Sequence, residues 1–117
     1  MNIEEIREYC LSKNGATESF PFDEVTLVFK VKNKMFALMS LEGDLSINLK
    51  NSPEIIIELR EEYSSVVPGY HMNKNHWNTV YVDGTIKPEL IYRWIDKSYD
   101  IIVSKLPRKT KNELLNI

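Results

Sequence analysis

A chain of 117 residues with 43% hydrophobic and 27% charged residues has the size and composition of one soluble globular domain, too short for two separate cores. Its formal net charge of −2 lacks the basic excess of a free-standing DNA-binding domain, although a local basic face is compatible with a balanced sum. Apolar runs such as Ile55-Ile56-Ile57 fall far short of the about 20 residues a membrane span requires. The Met1-Asn2-Ile3-Glu4-Glu5 start lacks the basic and apolar regions of a signal peptide, and Cys10, the single cysteine, cannot form an intramolecular disulfide. A cytoplasmic protein that does not engage membranes is expected.

The chain opens with a helix over 3–13. Asn2 suits the N-cap with Glu5 in capping-box spacing, Ile3, Ile6, Cys10 and Leu11 share one side, and Gly15 is placed to close it. Ser19-Phe20-Pro21-Phe22-Asp23-Glu24 reads as a proline-broken aromatic loop. Over 25–32, Val25, Leu27, Phe29 and Val31 alternate against Thr26, Val28, Lys30 and Lys32, the period of a strand with one buried face. Asn33-Lys34 is the expected turn, 35–41 the second strand, Glu42-Gly43-Asp44 the next turn, and 45–50 the third strand. Ser52 and Pro53 then suit the N-cap and first position of a helix ending near Glu62, with Ile55, Ile56, Leu59 and Tyr63 inward.

A short extended piece at Val66-Val67 and a strand over 77–82 follow, separated by Pro68-Gly69 and a polar stretch. Asp83-Gly84 turns the chain into the longest helix, 88–105. Its Leu90, Ile91, Trp94, Ile95, Tyr99, Ile102, Val103 and Leu106 repeat as the apolar face of a helix lying across a sheet. After Pro107, a basic segment from Arg108 to Lys111 starts a short helix ending at Leu114-Leu115. The order predicts a two-layer α+β domain spanning 1–117, α-β(3)-α-β(2)-α, with one antiparallel five-stranded sheet and its helices on one face.

The chemistry concentrates in Pro68-Gly69-Tyr70-His71-Met72-Asn73-Lys74-Asn75-His76-Trp77-Asn78-Thr79-Val80, which holds both histidines and one of the two tryptophans. His71 and His76 have no cysteine or nearby carboxylate other than Asp83 to complete a metal-ligand set. Ser64 and Ser65 lack a nucleophile-elbow motif, Cys10 is remote in sequence from both histidines, and the four glycines never cluster into a phosphate loop. No metal, cofactor or catalytic residue is therefore assigned. What remains is positive charge in aromatic and amide company: Lys30, Lys32 and Lys34 along the first strand, Lys50 ending the third, Lys74 in the central stretch, and Arg108, Lys109 and Lys111 in the tail.

The central stretch resembles the signature of the MmcQ/YjbR family of small bacterial proteins. The resemblance extends to Phe20-Pro21-Phe22, Leu49-Lys50 before the Pro53 helix, Arg60, Trp94-Ile95-Asp96-Lys97-Ser98-Tyr99 and Lys105-Leu106-Pro107. It implies the same α-β(3)-α-β(2)-α order and a double-wing, DNA-binding role without catalytic residues. The wings would be the hairpins at Asn33-Lys34 and Glu42-Gly43-Asp44, the second of which is acidic, unlike a phosphate-contacting tip.

Two main readings follow. In the first, Lys30, Lys32 and Lys34, helped by Lys74 and the tail, contact DNA phosphates. In the second, Lys50, Arg60, His71, Lys74, His76 and Trp77 converge on one concave surface that binds a small anion, Arg60 clamping it bidentately and Trp77 supplying a stacking face. Set against the second is a purely structural alternative. Here Trp77 belongs to the core, and His71, Asn73, Lys74 and Asn78 tie the loop to neighbouring backbone. A protein-interaction role is a third possibility, since the two-layer fold also resembles secretion-chaperone domains. A monomer is the expected state.

Overall fold

A computed structural model describes residues 1–116. Helix α1 (Ile3–Leu11) begins where Asn2 Oδ1 accepts the Glu5 N–H at 2.9 Å, and it buries Ile6 and Cys10. It stops at Leu11, short of the expected 13, because the chain turns at once. The Ala16 N–H bonds the Lys13 carbonyl at 3.0 Å, and Gly15 takes φ +72°, where a side chain would be strained.

That turn launches strand β1 (Ala16–Ser19), which corrects the five-stranded expectation: the sheet has six strands. Ala-Thr-Glu-Ser carries no apolar row, so periodicity cannot reveal it. Backbone pairing with β2 (Thr26–Val31), from Ala16↔Val31 to Ser19↔Val28, holds it at the edge. Then come β3 (Lys34–Ser40), β4 (Ser46–Lys50), α2 (Pro53–Glu62), β5 (Val66–Pro68), β6 (Trp77–Tyr81), α3 (Pro88–Ser104) and α4 (Arg108–Leu115). The strand order is β1-β2-β3-β4-β6-β5, antiparallel throughout. The β2–β3 turn lies one residue earlier than expected. Val31 pairs with Lys34, and Lys32 and Asn33 take φ +49° and +64°, the left-handed pair that matches hairpin twist.

The inner face of the sheet carries Leu27, Phe29, Val31, Ala37, Met39, Ile47, Leu49 and Val80, buried against Ile6 and Cys10 of α1 and Ile91, Ile95 and Ile102 of α3. Ser98, buried at the centre of α3, accepts the Lys50 N–H at 2.9 Å and donates to the Phe36 carbonyl at 2.6 Å, fastening the helix to the ends of β3 and β4. No described helix is long and apolar enough to cross a membrane.

The outer face departs from the simple alternation. Val28, expected on the polar side, is buried with Leu38 and Trp77 in a second apolar cluster, because Met35 and Met72 pack over it. Met72 belongs to the β5–β6 connection, so that connection folds back across the outer face of the sheet.

Candidate functional site

The β5–β6 connection is built from two kinds of contact. Gly69 lies so close to β6 that an added Cβ would come within 2.9 Å of Trp77 Cβ and the Trp77 carbonyl oxygen, and the Gly69 N–H bonds that carbonyl at 3.0 Å. From the helix side, the Arg60 guanidinium donates through Nε to Asn78 Oδ1 at 2.6 Å. Its Nη2 reaches the Trp77 carbonyl at 3.2 Å and also the Lys74 carbonyl. Asn78, only 2% exposed, donates its own Nδ2–H to the Ile56 carbonyl at 3.1 Å, joining α2 to β6.

These bonds bear directly on the residues singled out in the sequence. Arg60 is occupied by acceptors of its own chain. Trp77 and Asn78, adjacent on β6, point to opposite faces of the sheet, as strand geometry requires. Arg60, bonded to Asn78, therefore does not share a concave surface with Trp77, and the expected convergence of Lys50, Arg60, His71, Lys74, His76 and Trp77 does not form. Trp77 is buried with Val28 and Leu38, and Lys74 Nζ donates to the Gly69 carbonyl at 3.4 Å. His76 is half-buried, its main chain bonded to Asn73 and Asn51. His71 alone of the two imidazoles reaches the groove described below. Among the described residues, no group of three or more His, Cys, Asp or Glu is placed to hold a metal ion.

The cations divide similarly. Lys32 pairs with Glu113 of α4 at 3.4 Å. Lys34 is exposed at the start of β3, Lys30 is half-buried, and Lys50 Nζ lies 6.0 Å from the centre of the Trp77 ring. Burial, with the Lys105 ammonium as a second cause, holds Lys50 below the usual lysine value. Burial also pushes the Cys10 thiol up to about 12, which leaves essentially no thiolate for chemistry near neutrality.

A groove of about 870 Å³ lies on the outer face, within the size range of small-molecule sites. Its polar floor is Ser46, Asn48 and Thr79. Thr79 Oγ1 accepts the Tyr70 N–H at 3.1 Å and donates to Asn48 Oδ1, so the floor anchors the loop that forms one wall. The Asn48 amide NH₂ has no protein partner among the described residues. Met35, Leu38 and Met72 form an apolar end. Phe22, Tyr70 and Tyr81 also line the groove, and Phe22 and Tyr70 are 63% and 71% exposed. His71 sits in the left-handed region at φ +58° with its ring 4.0 Å from that of Tyr70, a costly backbone state for a side chain, of the sort that gathers at functional sites.

Sequence reasoning did not single out Asn48 or Tyr81, and it named Phe22 and Thr79 only inside longer motifs. One signal was available: Asn48 and Thr79 alternate with the apolar residues of their strands, which places both on the outer face.

The comparisons agree with this architecture. A family model described as YjbR matches residues 11–101. The chain is 37% identical to the uncharacterised protein YjbR of Escherichia coli K12 over 118 residues, covering 100% of each. It is 28% identical to the uncharacterised protein YyaQ of Bacillus subtilis, covering 84% of this chain and 95% of YyaQ. The crystal structure of Deinococcus radiodurans protein DR2400, with a domain described as DUF419, superimposes with a TM-score of 0.92 at 39% identity, covering 97% of this chain and 87% of that one. A Pseudomonas syringae protein of known crystal structure gives a TM-score of 0.76 at 28% identity, covering 86% and 98% of the two chains. On a match that spans most of its length, this chain belongs to the YjbR family.

Proposed function

We infer that this protein is a non-enzymatic binding module whose working surface is the outer-face groove, and that it receives a small amphipathic molecule there. The observation that carries the reading is the combination of exposed aromatic side chains with an amide donor on the floor. Tyr70 and Phe22 stand exposed in the groove lining rather than packed away, and the Asn48 NH₂ has no protein partner among the described residues. Exposed aromatic surface beside a few fixed polar groups is the composition of a ligand site. The strained His71 backbone supports it, because its position beside Tyr70 sets one wall.

The test is a saturation-transfer screen of soluble aromatic amides, benzamide first, against wild type and Tyr70→Ala. Binding to wild type that weakens at least about fivefold in Tyr70→Ala, with the fold intact by circular dichroism, supports the reading. Equal binding to both proteins refutes it, as does no binding at millimolar concentration by the amides or by charged and aliphatic probes of the same size.

DNA-backbone binding is the second reading, and one observation favours it. Lys30, Lys34 and Lys50 fall toward the end of the sheet opposite the acidic Glu42-Gly43-Asp44 turn, with Lys105 acting on Lys50 nearby. The Lys32–Glu113 ion pair and the acidic turn weigh against it. Anisotropy titrations with a labelled duplex, repeated over a salt series, decide. Affinity that falls steeply with salt and drops in Lys30→Gln/Lys34→Gln supports DNA binding, whereas no binding at low salt removes it.

A further inference from the structure

We propose that the groove's ligand is a small organic cation, an alkylated ammonium or guanidinium carried on an apolar body. The proposal rests on the groove reading above and adds the charge of its occupant. Among the described residues, the groove lining includes the carboxylates Asp23, Glu42 and Asp44 and no lysine or arginine. None of these carboxylates takes part in an ion pair among the described residues. Asp23 is held ionised by the Val25 and Thr26 N–H groups, at 2.9 and 2.7 Å, which keep its carboxyl below the usual range.

The aromatic lining favours the same sign of charge. The π faces of Phe22, Tyr70 and Tyr81 are electron-rich surfaces that attract a cation. An alkylated cation is weakly hydrated and sheds its water more readily than a primary ammonium. Its apolar body would lie on Met35, Leu38 and Met72, the apolar end of the same groove. Two independent features, net negative charge and aromatic surface, thus select one ligand class, and it is opposite in sign to the anion that the sequence alone suggested.

The experiment compares two isosteres that differ only in charge: choline, and 3,3-dimethylbutan-1-ol, in which carbon replaces the quaternary nitrogen. Both are titrated into ¹⁵N-labelled protein, following the amides of residues 70–73 and the Asn48 side chain. Choline is expected to bind about tenfold or more tightly than the alcohol, as a cation–π and carboxylate contribution of about 1.4 kcal/mol gives. Glu42→Gln/Asp44→Asn should weaken choline several-fold and leave the alcohol unchanged.

Equal affinities for the isosteres, or tighter binding of the alcohol, would overturn the charge assignment while leaving the groove reading intact. Saturable binding of inorganic phosphate at the same amides would also overturn it. If choline, the alcohol and the neutral amides above all leave these resonances unmoved, the groove reading fails with it. Binding by an arginine-containing peptide but not by choline would move the site to a protein partner and overturn the small-molecule assignment.

Discussion

Replacing Arg60 by alanine should destabilise the protein by about 2–4 kcal/mol, although the side chain lies on a helix surface and reads in sequence as a candidate anion clamp. Its guanidinium serves Asn78 Oδ1, the Trp77 carbonyl and the Lys74 carbonyl. Asn78 is only 2% exposed, so losing the Nε donor leaves a buried acceptor without its partner, which costs about 1–3 kcal/mol. The Trp77 carbonyl keeps the Gly69 N–H, and water can replace the bond at the exposed Lys74, so these two add about 1 kcal/mol together. Arg60→Lys should recover less than half, since one ammonium cannot reproduce the planar fork that meets separate acceptors. Urea denaturation of wild type, both variants, Asn78→Ala and the Arg60→Ala/Asn78→Ala double mutant gives the coupling, expected at about 1–2 kcal/mol. A loss below about 0.5 kcal/mol for Arg60→Ala would mean that the guanidinium carries no structural role, and an anion clamp at Arg60 would again be the better account.

Gly69→Ala should cost about 1–3 kcal/mol and shift the Tyr70–Asn73 amide resonances, because its Cβ meets backbone and Cβ atoms of Trp77 at 2.9 Å; unchanged stability by thermal melting would contradict that close approach. Ser98→Ala should cost about 2–4 kcal/mol in a denaturant titration, since it strands both the Lys50 N–H and the Phe36 carbonyl under α3. The Asp83 carboxyl is held below its usual value by the Thr85 hydroxyl and N–H and then by the Ser65 hydroxyl. A depressed folded pKa contributes stability above the unfolded value of 3.8, and that contribution is lost as pH falls through the lowered folded value. Asp83→Asn should therefore make the loss of stability below about pH 4 shallower, and an unchanged acid limb would show that these bonds do not persist in solution.

Much of the scaffold can be read from periodicity, because it depends on one face at a time. The apolar repeat of α3, the Pro53 start of α2 and the alternation of β2 each record burial against a single layer. The edge strand β1 escapes that logic, since main-chain bonds hold it and its side chains bury little. Val28 escapes it too: its cover is Met72, in a connection whose return across the sheet follows from Gly69 and Arg60 rather than from any repeat. The site was harder to read than the scaffold. Tyr70 and His71 could be picked out by composition, but Phe22 comes from one connection and Glu42 and Asp44 from another, and only the strand order brings them to one groove. Strand geometry already separates Trp77 from Asn78 and so argues against their sharing a surface. The register of α2 against β6 then decides that Arg60 belongs with Asn78.

The central claim, that the outer face of the sheet is the surface this protein uses, is tested most directly by mapping where ligands perturb the amide resonances of the chain. Titrated with choline and benzamide, the shifts should form one contiguous patch over residues 70–73, Asn48, Ser46 and Thr79, with the helix layer silent. Perturbations confined to α1, α3 or α4, or to the Lys32-Asn33 hairpin tip, would contradict the account and place the working surface elsewhere.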